Sequence, residues 1–565
     1  MKLDTTFPIA TALRAGLKHY NLRTFKADAQ AGLIVSLLAL PLSMALAIAV
    51  GLPPQHGIYT AVVAGIVCAA LGGSMTQVSG PTAAFVVILA PIVSDFGLHG
   101  IIWCQIIAGI LLIALGTARM GKLITYVPYP VVTGFTAGIG VVIATLALND
   151  FFGLRIAELK GDYIEKVAVI FQHLPQMHWQ ELAIGLVSLL AIINFNKITG
   201  KIPSALGGIA IGTLLAAAFG FFGGDIETIG MRFTYETADG LKNGIPPYLP
   251  SLHLPTFASG DLMTVPSYAE FRTLLGPAVV IAVLAALESL LSATVADGMS
   301  GTRHNPNAEL NGIGFANLAS ALATGIPATG AIARTASNIH AGAKTPVASI
   351  IHAILIMLYV VTLAPVINYI PMSALAALLL VTAWRMSHVH QFIRVIKVAP
   401  KSDVAILLGS FFLTVFIDMV AGVTAGMVLA TLLFMKKIAT STRSYISANR
   451  VFFGHRLPEG VMIYHIDGPL SFCSLGHALD HAGAITPDVT NLVIDVEHVP
   501  LIDMTGMMAM RDFLASIAID GRRVILCGNP TVTERIIRKV IGHPMEQSIS
   551  VTRSLDQALE EIIPS

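Results

Sequence analysis

Two short glycine-containing motifs interrupt the apolar runs of this chain and could form an anion site. They read Ser79-Gly80-Pro81-Thr82-Ala83-Ala84 and Thr329-Gly330-Ala331-Ile332-Ala333-Arg334. Each motif predicts the start of a half-helix that faces its counterpart. The first N–H groups of a helix have no intrahelical partner and carry a partial positive charge. Two such starts pointing at one another inside a membrane would bind an anion, which suggests an anion transporter.

Arg334 is the cation nearest to this predicted site, because it lies one turn into the second half-helix. It could supply a fixed positive charge with a planar fork that suits carboxylates. The alternative is that it pairs with Glu288, or with a carbonyl group, and stabilises the core. Ionisable groups within membrane spans are costly and usually mark a transport pathway.

Glu288 lies in the middle of a long apolar run, with Ser292 four residues further on. The i, i+4 spacing places both on one helical face, so we expect both to point at the space between the half-helices. The carboxylate could take up a proton or, with further oxygens nearby, hold Na⁺. The alternative is a structural glutamate bonded to a backbone N–H. Four further ionisable residues cluster where this helix meets the cytoplasm, and we expect them to be solvated or to form a salt-bridge network on the gate side, without a substrate role: Asp297, Arg303, His304 and Glu309.

The composition places most of the chain in lipid. Its 565 residues have a mean hydropathy of +0.76, with 55% hydrophobic and only 12% charged residues, whereas soluble proteins carry about 25% charged residues. The net charge of +1 and the lack of a polybasic run give no reason to expect nucleic acid as a partner. The sequence contains no nucleophile and base pair, metal-ligand cluster or Gly-rich P-loop. We therefore expect neither an enzyme nor a resident cofactor or metal, and only H⁺ or Na⁺ as a co-transported ion.

Apolar runs of about 17 to 25 residues predict membrane spans. With the two interrupted runs, 81–96 and 330–342, the elements number fourteen, at 31–50, 57–73, 81–96, 99–117, 127–148, 181–196, 204–222, 273–296, 308–325, 330–342, 346–365, 372–384, 403–420 and 421–436. The interrupted runs are the third and the tenth, so they hold corresponding places in two halves of seven. An odd number of elements per half gives the halves opposite orientation, which predicts an inverted repeat.

Lysine and arginine in the short loops predict the orientation. The loops that lie inside when the N-terminus is inside are basic, as the positive-inside rule requires. We therefore expect a multi-pass membrane protein with both termini in the cytoplasm. Residues 1–30 would form a cytoplasmic N-terminal segment, and residues 31–437 the transmembrane domain.

The character of the chain changes after Lys437. Residues 460–472, 491–499 and 522–528 have the pattern of strands, and residues 475–482, 505–519 and 530–541 that of amphipathic helices. Alternation of strands and helices predicts a sheet covered by helices. We expect a linker at 438–459 and a small cytoplasmic α/β domain at 460–565.

These residues resemble the SulP, or solute carrier 26, family of anion transporters over nearly the whole chain. The resemblance rests on the first-span stretch from Ala39 to Ala47, the two half-helix motifs, and the Glu288 segment with the following Ala296-Asp297-Gly298-Met299-Ser300-Gly301-Thr302. Ile502-Asp503-Met504-Thr505-Gly506 is similar to the signature of a STAS domain. The pattern looks closest to the bacterial C4-dicarboxylic acid transporter branch, which implies a protein of the bacterial inner membrane.

The resemblance implies a homodimer in which each protomer combines a core domain, elements 1 to 4 and 8 to 11, with a gate domain, elements 5 to 7 and 12 to 14. In such proteins the core carries the anion in an elevator-like movement. Glu288 would take the position linked to cation or proton coupling, with Ser292 beside it. The anion site implied on this sequence consists of Leu42, Pro81, Thr82, Ala83, Ala331, Ile332, Ala333 and Arg334.

Leu42 also bears on the substrate. Many sulfate-type members have glutamine there, so Leu42 argues against a close sulfate transporter. Bicarbonate transporters of the family share the Pro-Leu pattern but typically carry aspartate at the Glu288 position with Na⁺ coupling. The resemblance thus favours proton-coupled symport of succinate, fumarate or aspartate, with bicarbonate or sulfate transport coupled to Na⁺ or H⁺ as the alternative.

A further alternative is a membrane-anchored signalling or scaffold protein that acts on a cytosolic partner through its STAS domain. Thr505 matches the position that is phosphorylated in soluble anti-sigma antagonists, so it could be a regulatory site. A threonine or aspartate before a helix is also a common N-cap, and we favour that interpretation.

Overall fold

The computed structural model of the chain describes residues 9–122, 127–156, 159, 161–198, 203–237, 240–256, 262–447, 451–452, 455–519, 521–533 and 549–562. The chain forms two compact units, Met1–Met427 and Val428–Ser565.

Helices dominate the chain as far as Ser441. They are α1 (Thr11–Leu17), α2 (Leu22–Val50), α3 (Pro54–Leu71), α4 (Val86–Thr117), α5 (Tyr129–Phe151), α6 (Tyr163–His173), α7 (Trp179–Ile198), α8 (Ser204–Phe221), α9 (Ile229–Arg232), α10 (Tyr268–Ser300), α11 (Pro306–Leu322), α12 (Ile332–His340), α13 (Val347–Ile367), α14 (Met372–Met386), α15 (Val389–Val398), α16 (Lys401–Phe416) and α17 (Met419–Ser441). Four short strands accompany them: β1 (Ser79–Gly80), β2 (Thr234–Thr237), β3 (Gly240–Asn243) and β4 (Thr329–Gly330).

The predicted helical membrane fold is confirmed. Among the described residues, nine helices are long and apolar enough to cross a membrane on their own. Each of the fourteen predicted elements has a helical counterpart, and the third and fourth are the two parts of α4. These parts are separated at Gly97, whose φ of 61° and ψ of −157° interrupt the helix. Glycine adopts such a conformation without the steric penalty of a Cβ atom.

Local sequence signals fix the ends of the long helices. Asn21 accepts a hydrogen bond from the Thr24 N–H at the start of α2, and Gly51 ends that helix in the left-handed conformation. Ser267 and Glu270 form a reciprocal capping box at the start of α10. The first predicted element therefore begins at Leu22 rather than at residue 31, because the polar first turns of α2 are helical as well.

The helices pack in two groups. The core group consists of α2, α3, α4, α10, α11, α12 and α13, which pack mainly on one another. The gate group consists of α5, α7, α8, α14 and α16, which do the same, with α17 close to α16 at Gly422. The membership of the two groups matches the core and gate domains implied by the family resemblance.

A short antiparallel ladder joins the two halves of the core group. Ser79 of β1 pairs with Gly330 of β4, and Gly80 pairs with Thr329. The Ala331 N–H extends the ladder by donating to the Val78 carbonyl at 2.9 Å. Because Ser79 and Thr329 hold equivalent places in the two motifs, this crossed pairing is the one expected of an inverted repeat.

The second unit contains a five-stranded sheet. Its strands are β5 (Arg443–Ser447), β8 (Val461–Asp467), β9 (Asn491–Asp495), β10 (Arg523–Cys527) and β11 (Ile549–Thr552), with the short pair β6 (Val451–Phe452) and β7 (His455–Arg456) outside it. The spatial order is β11-β10-β9-β8-β5, parallel except for the antiparallel edge strand β5. The helices of this unit are α18 (Leu475–Leu479), α19 (Met504–Ile519) and α20 (Leu555–Glu560).

Both faces of this sheet are apolar, as expected for a sheet covered by helices. Tyr464 and Ile494 pack with Leu514 of α19 on one face, and Ile463 and Val493 pack with Leu555 of α20 on the other. The prediction of a small α/β domain at the C-terminal end is confirmed.

The predicted linker at 438–459 is wrong in part. Helix α17 continues to Ser441, and β5 pairs residue by residue with β8, from Arg443 opposite Asp467 to Ser447 opposite Ile463. The α/β unit therefore starts well before residue 460. The predicted strands extend beyond the observed ones, and β11 was not predicted. Residues 534–541 of the predicted helix 530–541 lie outside the described residues.

Candidate functional site

A cavity of about 370 Å³ lies between the core group and the gate group. From the core group it is lined by Leu38, Leu42, Leu46, Pro81, Thr82, Ala83, Ala84, Glu288, Gly330, Ala331, Ile332, Ala333 and Arg334. From the gate side it is lined by Ile192, Ser204, Ala205, Leu378, Val381, Thr382, Arg385, Met386 and His388. The structure thus brings together all eight residues assigned to anion binding by the family resemblance.

Both half-helices begin at this cavity without a side-chain cap. The first begins as a single 3₁₀ turn, Ala83–Phe85, that leads into α4, and the second is α12. Neither Thr82 nor Ala331 gives the following turn a side-chain hydrogen bond. Uncapped N–H groups at the start of a helix attract negative charge. The cavity is therefore electropositive where the two starts meet.

Arg334 is the buried cation of the cavity, with 2% of its surface exposed. Its Nη2 donates to the Pro81 carbonyl, so the guanidinium links α12 to the start of the first half-helix. Its Nε and Nη1 are buried without a hydrogen-bond partner among the described residues. The carbonyl pairing named as the alternative is thus observed, while the role of Arg334 in anion binding stays a prediction.

Glu288 lies across from the half-helices on α10. Its Oε2 accepts a hydrogen bond of 2.9 Å from the Thr82 hydroxyl, and the side chain lines the cavity. Its hydrogen-bond donor in the described part of the chain is thus a side-chain hydroxyl, which differs from the backbone N–H of the structural alternative. An acidic group and the uncapped helix starts therefore share one chamber.

Ser292 does not line the cavity, which corrects the expectation that it points there with Glu288. It is fully buried, and its hydroxyl donates to Thr335 Oγ1 at 3.1 Å. Four residues along an α-helix turn the side chain about 40° past a full revolution. That offset directs Ser292 at the flank of α12, so Ser292 supports the second half-helix from behind.

Buried polar side chains also hold the ladder in place. Ser289 Oγ accepts from the Gly330 N–H at 2.9 Å, and Gln77 Nε2 lies 3.4 Å from the same oxygen. Gln77 in turn donates to Glu309 Oε1 at 2.7 Å. Glu309 is 1% exposed and accepts from the N–H groups of Gly73 and Ser74. Glu309 is therefore not solvated, because its carboxylate pairs with buried backbone amides. The alternative of pairing within the cluster is seen at His304, whose Nδ1 lies 2.7 Å from Asp297 Oδ2.

The irregular backbone before β4 is satisfied in the same way. Thr60 Oγ1 accepts from the Ile326 N–H at 2.7 Å, and Asn317 bonds both the N–H and the carbonyl of Ala328. Gln105 Nε2 donates to the Ile326 carbonyl at 3.1 Å. Non-helical backbone within a membrane protein is stable only where its polar groups find such partners.

Gly80 allows the close approach of Arg334 to the ladder. A Cβ atom at this position would lie 2.7 Å from Arg334 Nη1 and 3.5 Å from the Ala61 Cα. The glycine of the first motif therefore leaves the space that the guanidinium occupies.

Four polar residues on the gate side of the cavity were missed from the sequence: Ser204, Thr382, Arg385 and His388. One signal could have found Arg385. It follows Leu378, Val381 and Thr382 of α14 by seven, four and three residues, which places the four on one helical face.

Thr505 is the second residue of α19 and is exposed. The cap of this helix is Asp503, whose Oδ1 accepts from the Gly506 N–H at 2.8 Å. The preferred interpretation of Thr505 as an N-cap is therefore wrong, because Asp503 already occupies that place.

Two family models match the chain. Residues 25–410 match the sulfate permease family, and residues 456–558 match the STAS domain. The chain belongs to the sulfate permease family. This permease is an anion transporter rather than an enzyme, as the sequence predicted, and it is a multi-pass membrane protein.

Several relatives are similar to this permease over almost their whole length. A putative sulfate transporter of Bacillus subtilis, YvdB, is 34% identical over 92% of this chain and 95% of its own. The bicarbonate transporter BicA of Picosynechococcus is 27% identical over 92% and 91% of the two chains.

Solved structures share the fold of this chain. The structure of SLC26A9 covers 97% of this chain with a TM-score of 0.83 at 17% identity, and 91% of that chain is matched. The transmembrane domain of a cyanobacterial bicarbonate transporter BicA covers 72% of this chain, and 98% of that domain is matched, with a TM-score of 0.62 at 26% identity.

Proposed function

We propose that this permease carries C4-dicarboxylate anions such as succinate, fumarate and aspartate together with protons. The observation that carries the anion site is Arg334, whose Nε and Nη1 are buried and unpaired among the described residues. A buried donor without a partner costs about 1–3 kcal/mol. Carboxylate oxygens at the uncapped start of α12 would remove that cost and match the planar guanidinium.

The apolar walls of the cavity support an organic anion. They consist of Leu38, Leu42, Leu46, Ala205, Ile192, Ile332, Leu378 and Val381. Sulfate and bicarbonate have no hydrocarbon surface to place against such walls. A C4-dicarboxylate has a two-carbon segment between its carboxylates, and burying a CH₂ group gains about 0.8 kcal/mol. Leu42 contributes to these walls and offers no polar group to an inorganic anion.

The position of Glu288 supports proton coupling. It lies in the same chamber as the anion donors and is hydrogen-bonded to Thr82, which begins the first half-helix. A carboxylate that takes up a proton there offsets one negative charge of the bound dianion. Na⁺ is the alternative coupling ion, and it would need several oxygen ligands around Glu288.

The division of the ligands between the two helix groups supports an elevator-like movement. Arg334, Glu288 and both half-helix starts belong to the core group, and the gate group adds five apolar side chains together with Ser204, Thr382, Arg385 and His388. An anion held mainly by the core group can then move with it if its contacts with the gate group form and break during the movement.

Uptake of labelled succinate into proteoliposomes tests this proposal. An inward proton gradient is compared with a matched sodium gradient at the same membrane potential. Proton-stimulated succinate uptake is the expected result. Stimulation by the sodium gradient alone would mean that Na⁺ is the coupling ion instead of H⁺. No succinate uptake under either gradient would contradict the proposed substrate.

Sulfate or bicarbonate is the second candidate, supported by the names of the relatives at 34% and 27% identity. Unlabelled sulfate and bicarbonate are added as competitors in the same assay. Competition by succinate at lower concentration than by either inorganic anion is expected if the apolar walls select the substrate.

The proposal includes a homodimer in the bacterial inner membrane with both termini in the cytoplasm. The basic short loops support this orientation, and the SulP resemblance supports the dimer. Crosslinking in native membranes checks the dimer, and labelling of single cysteines introduced at exposed Arg394 and Lys242 checks which side each faces.

A further inference from the structure

The lining of the same cavity includes a second arginine, Arg385, which belongs to the other helix group. Arg334 comes from α12 of the core group, whereas Arg385 comes from the last turn of α14 in the gate group. The side chains between them are mainly apolar. The cavity therefore has a cation on each of its two sides and hydrocarbon in between.

Arg385 is placed in the cavity by the packing of α14. Leu378, Val381 and Thr382 line the cavity from the same helical face, and the helix buries Ala374 and Leu375 elsewhere. The side chain of Arg385 is exposed and makes no hydrogen bond or ion pair with a described residue. Its five N–H donors are therefore available to a ligand in the cavity.

Glu288 is the acidic residue in the lining of this cavity, and its carboxylate is bonded to Thr82 of the core group. Arg385 thus has no acidic partner within the lining on its own side. An anion that reaches across the cavity would meet its positive charge.

We infer that Arg385 binds the second carboxylate of the substrate and so selects dianions over monoanions of the same length. This inference rests on the proposed dicarboxylate function and assigns a residue to it. The first carboxylate occupies the donors of Arg334 and the half-helix starts, and the two-carbon segment lies against Leu42 and Leu378. A planar guanidinium is suited to a carboxylate, with which it forms two parallel hydrogen bonds.

An arginine in the last turn of a helix has a competing structural role. It can stabilise the helix by interacting with the partial negative charge of the C-terminus. That role predicts a loss of stability on substitution and no change in the choice between ligands. The experiment must therefore vary the ligand as well as the protein.

Succinate and succinamate form a suitable pair of ligands, because succinamate replaces one carboxylate by a neutral amide of nearly the same shape. Binding of each is measured on the purified full-length protein by the concentration dependence of its thermal unfolding. The variants are Arg385→Gln and Arg385→Lys. The control is Arg394→Gln, which removes an exposed positive charge from α15 outside the cavity lining.

The native protein is expected to bind succinate about tenfold to a hundredfold more tightly than succinamate, the range of a charge-assisted hydrogen bond. Arg385→Gln should reduce this ratio to about one by weakening succinate alone. Arg385→Lys should give an intermediate ratio, and Arg394→Gln should leave the ratio unchanged.

Two results would overturn the inference. If Arg385→Gln keeps the native ratio of the two affinities, Arg385 does not bind the second carboxylate, while the dicarboxylate function stands. If the native protein binds sulfate or bicarbonate but neither succinate nor succinamate, the proposed function fails and the role of Arg385 fails with it.

Discussion

The Thr82 hydroxyl donates a 2.9 Å hydrogen bond to Glu288, so the carboxylate of α10 is bonded directly to the residue that begins the first half-helix. The proposed proton acceptor and the proposed anion donors are therefore parts of one connected structure. We therefore expect a substitution at the proton acceptor to alter anion binding, and a substitution among the anion donors to alter proton coupling.

Glu288→Gln should uncouple transport from the proton gradient. Glutamine keeps an oxygen to accept from Thr82 but cannot bind and release a proton. Uptake of succinate should become insensitive to an imposed pH gradient while exchange of internal for external succinate persists. Glu270→Gln is the matched control, because Glu270 lies on the same helix in an exposed capping box that also accepts glutamine. Unchanged pH stimulation in Glu288→Gln would contradict the role of Glu288.

Arg334→Gln should weaken anion binding about tenfold to a hundredfold, because it removes a charge-assisted donor set from the buried side of the cavity. Arg334→Lys keeps the positive charge but loses the planar guanidinium, so its anion affinity should lie between those of the native protein and Arg334→Gln. Binding is measured by the protection of the full-length protein against thermal unfolding. Equal affinity in all three proteins would show that Arg334 serves only to hold Pro81.

Gly80→Ala should impair transport by displacing the guanidinium of Arg334, since the added Cβ would lie 2.7 Å from Nη1. Gly276→Ala on α10 is the control, because a Cβ there meets nothing within 4 Å and alanine favours a helix. Initial rates of uptake, normalised to the amount of protein in the membrane, distinguish the two. Native rates in Gly80→Ala would mean that the ladder moves to accept the methyl group.

Ser289→Ala should destabilise the core group by about 1–3 kcal/mol, because the buried Gly330 N–H loses its acceptor. Ser337→Ala is the control, since its hydroxyl donates to the Ala333 carbonyl within the same helix. The melting temperature of the purified protein measures both. If both variants melt alike, Ser289 does not support the ladder.

Asp495 gives the STAS unit a pH-dependent stability. Burial alone would raise the pKa of Asp495, but hydrogen bonds from His465 Nδ1 and from the Glu497 N–H lower it below its ordinary value. A lowered pKa stabilises the folded state above the unfolded value of about 4, and this stability is lost as pH falls through the folded-state pKa. Asp495→Asn should therefore lower the melting temperature of this unit at pH 7, with a smaller difference at pH 3.5. A difference independent of pH, measured by calorimetry on the full-length protein, would contradict this account.

The half-helix starts could be predicted because their signal is local. An apolar run that is too short to cross the bilayer, and that begins with a glycine and small residues, is compatible with few structures other than a half-helix. Arg334 could also be predicted from local sequence, because an ionisable residue within a membrane span is costly and usually has a functional role. The β1 and β4 strands were not predicted, since two residues are too few to show a strand pattern.

Contacts across long sequence distances could not be predicted. Glu309 bonds to the N–H groups of Gly73 and Ser74, more than 200 positions away, so its burial has no sign in the neighbouring residues. The prediction for Ser292 was wrong for a geometric reason. Residues four apart on a helix differ by about 40° in direction, and this offset directs Ser292 at Thr335 instead of into the cavity. The sequence predicts a linker at β5, because its five residues, Arg443–Ser447, are largely polar. They form a strand only through pairing with β8.

The bonding of β1 to β4 has a consequence for the direction of transport. Because the two half-helix starts are joined by backbone hydrogen bonds, their N–H donors cannot move apart from one another. An anion that reaches the cavity from either side of the membrane therefore meets the same arrangement of half-helix donors. These donors alone give transport no preferred direction, so net accumulation would follow from the gradients of the substrate, the coupled ion and the electrical potential.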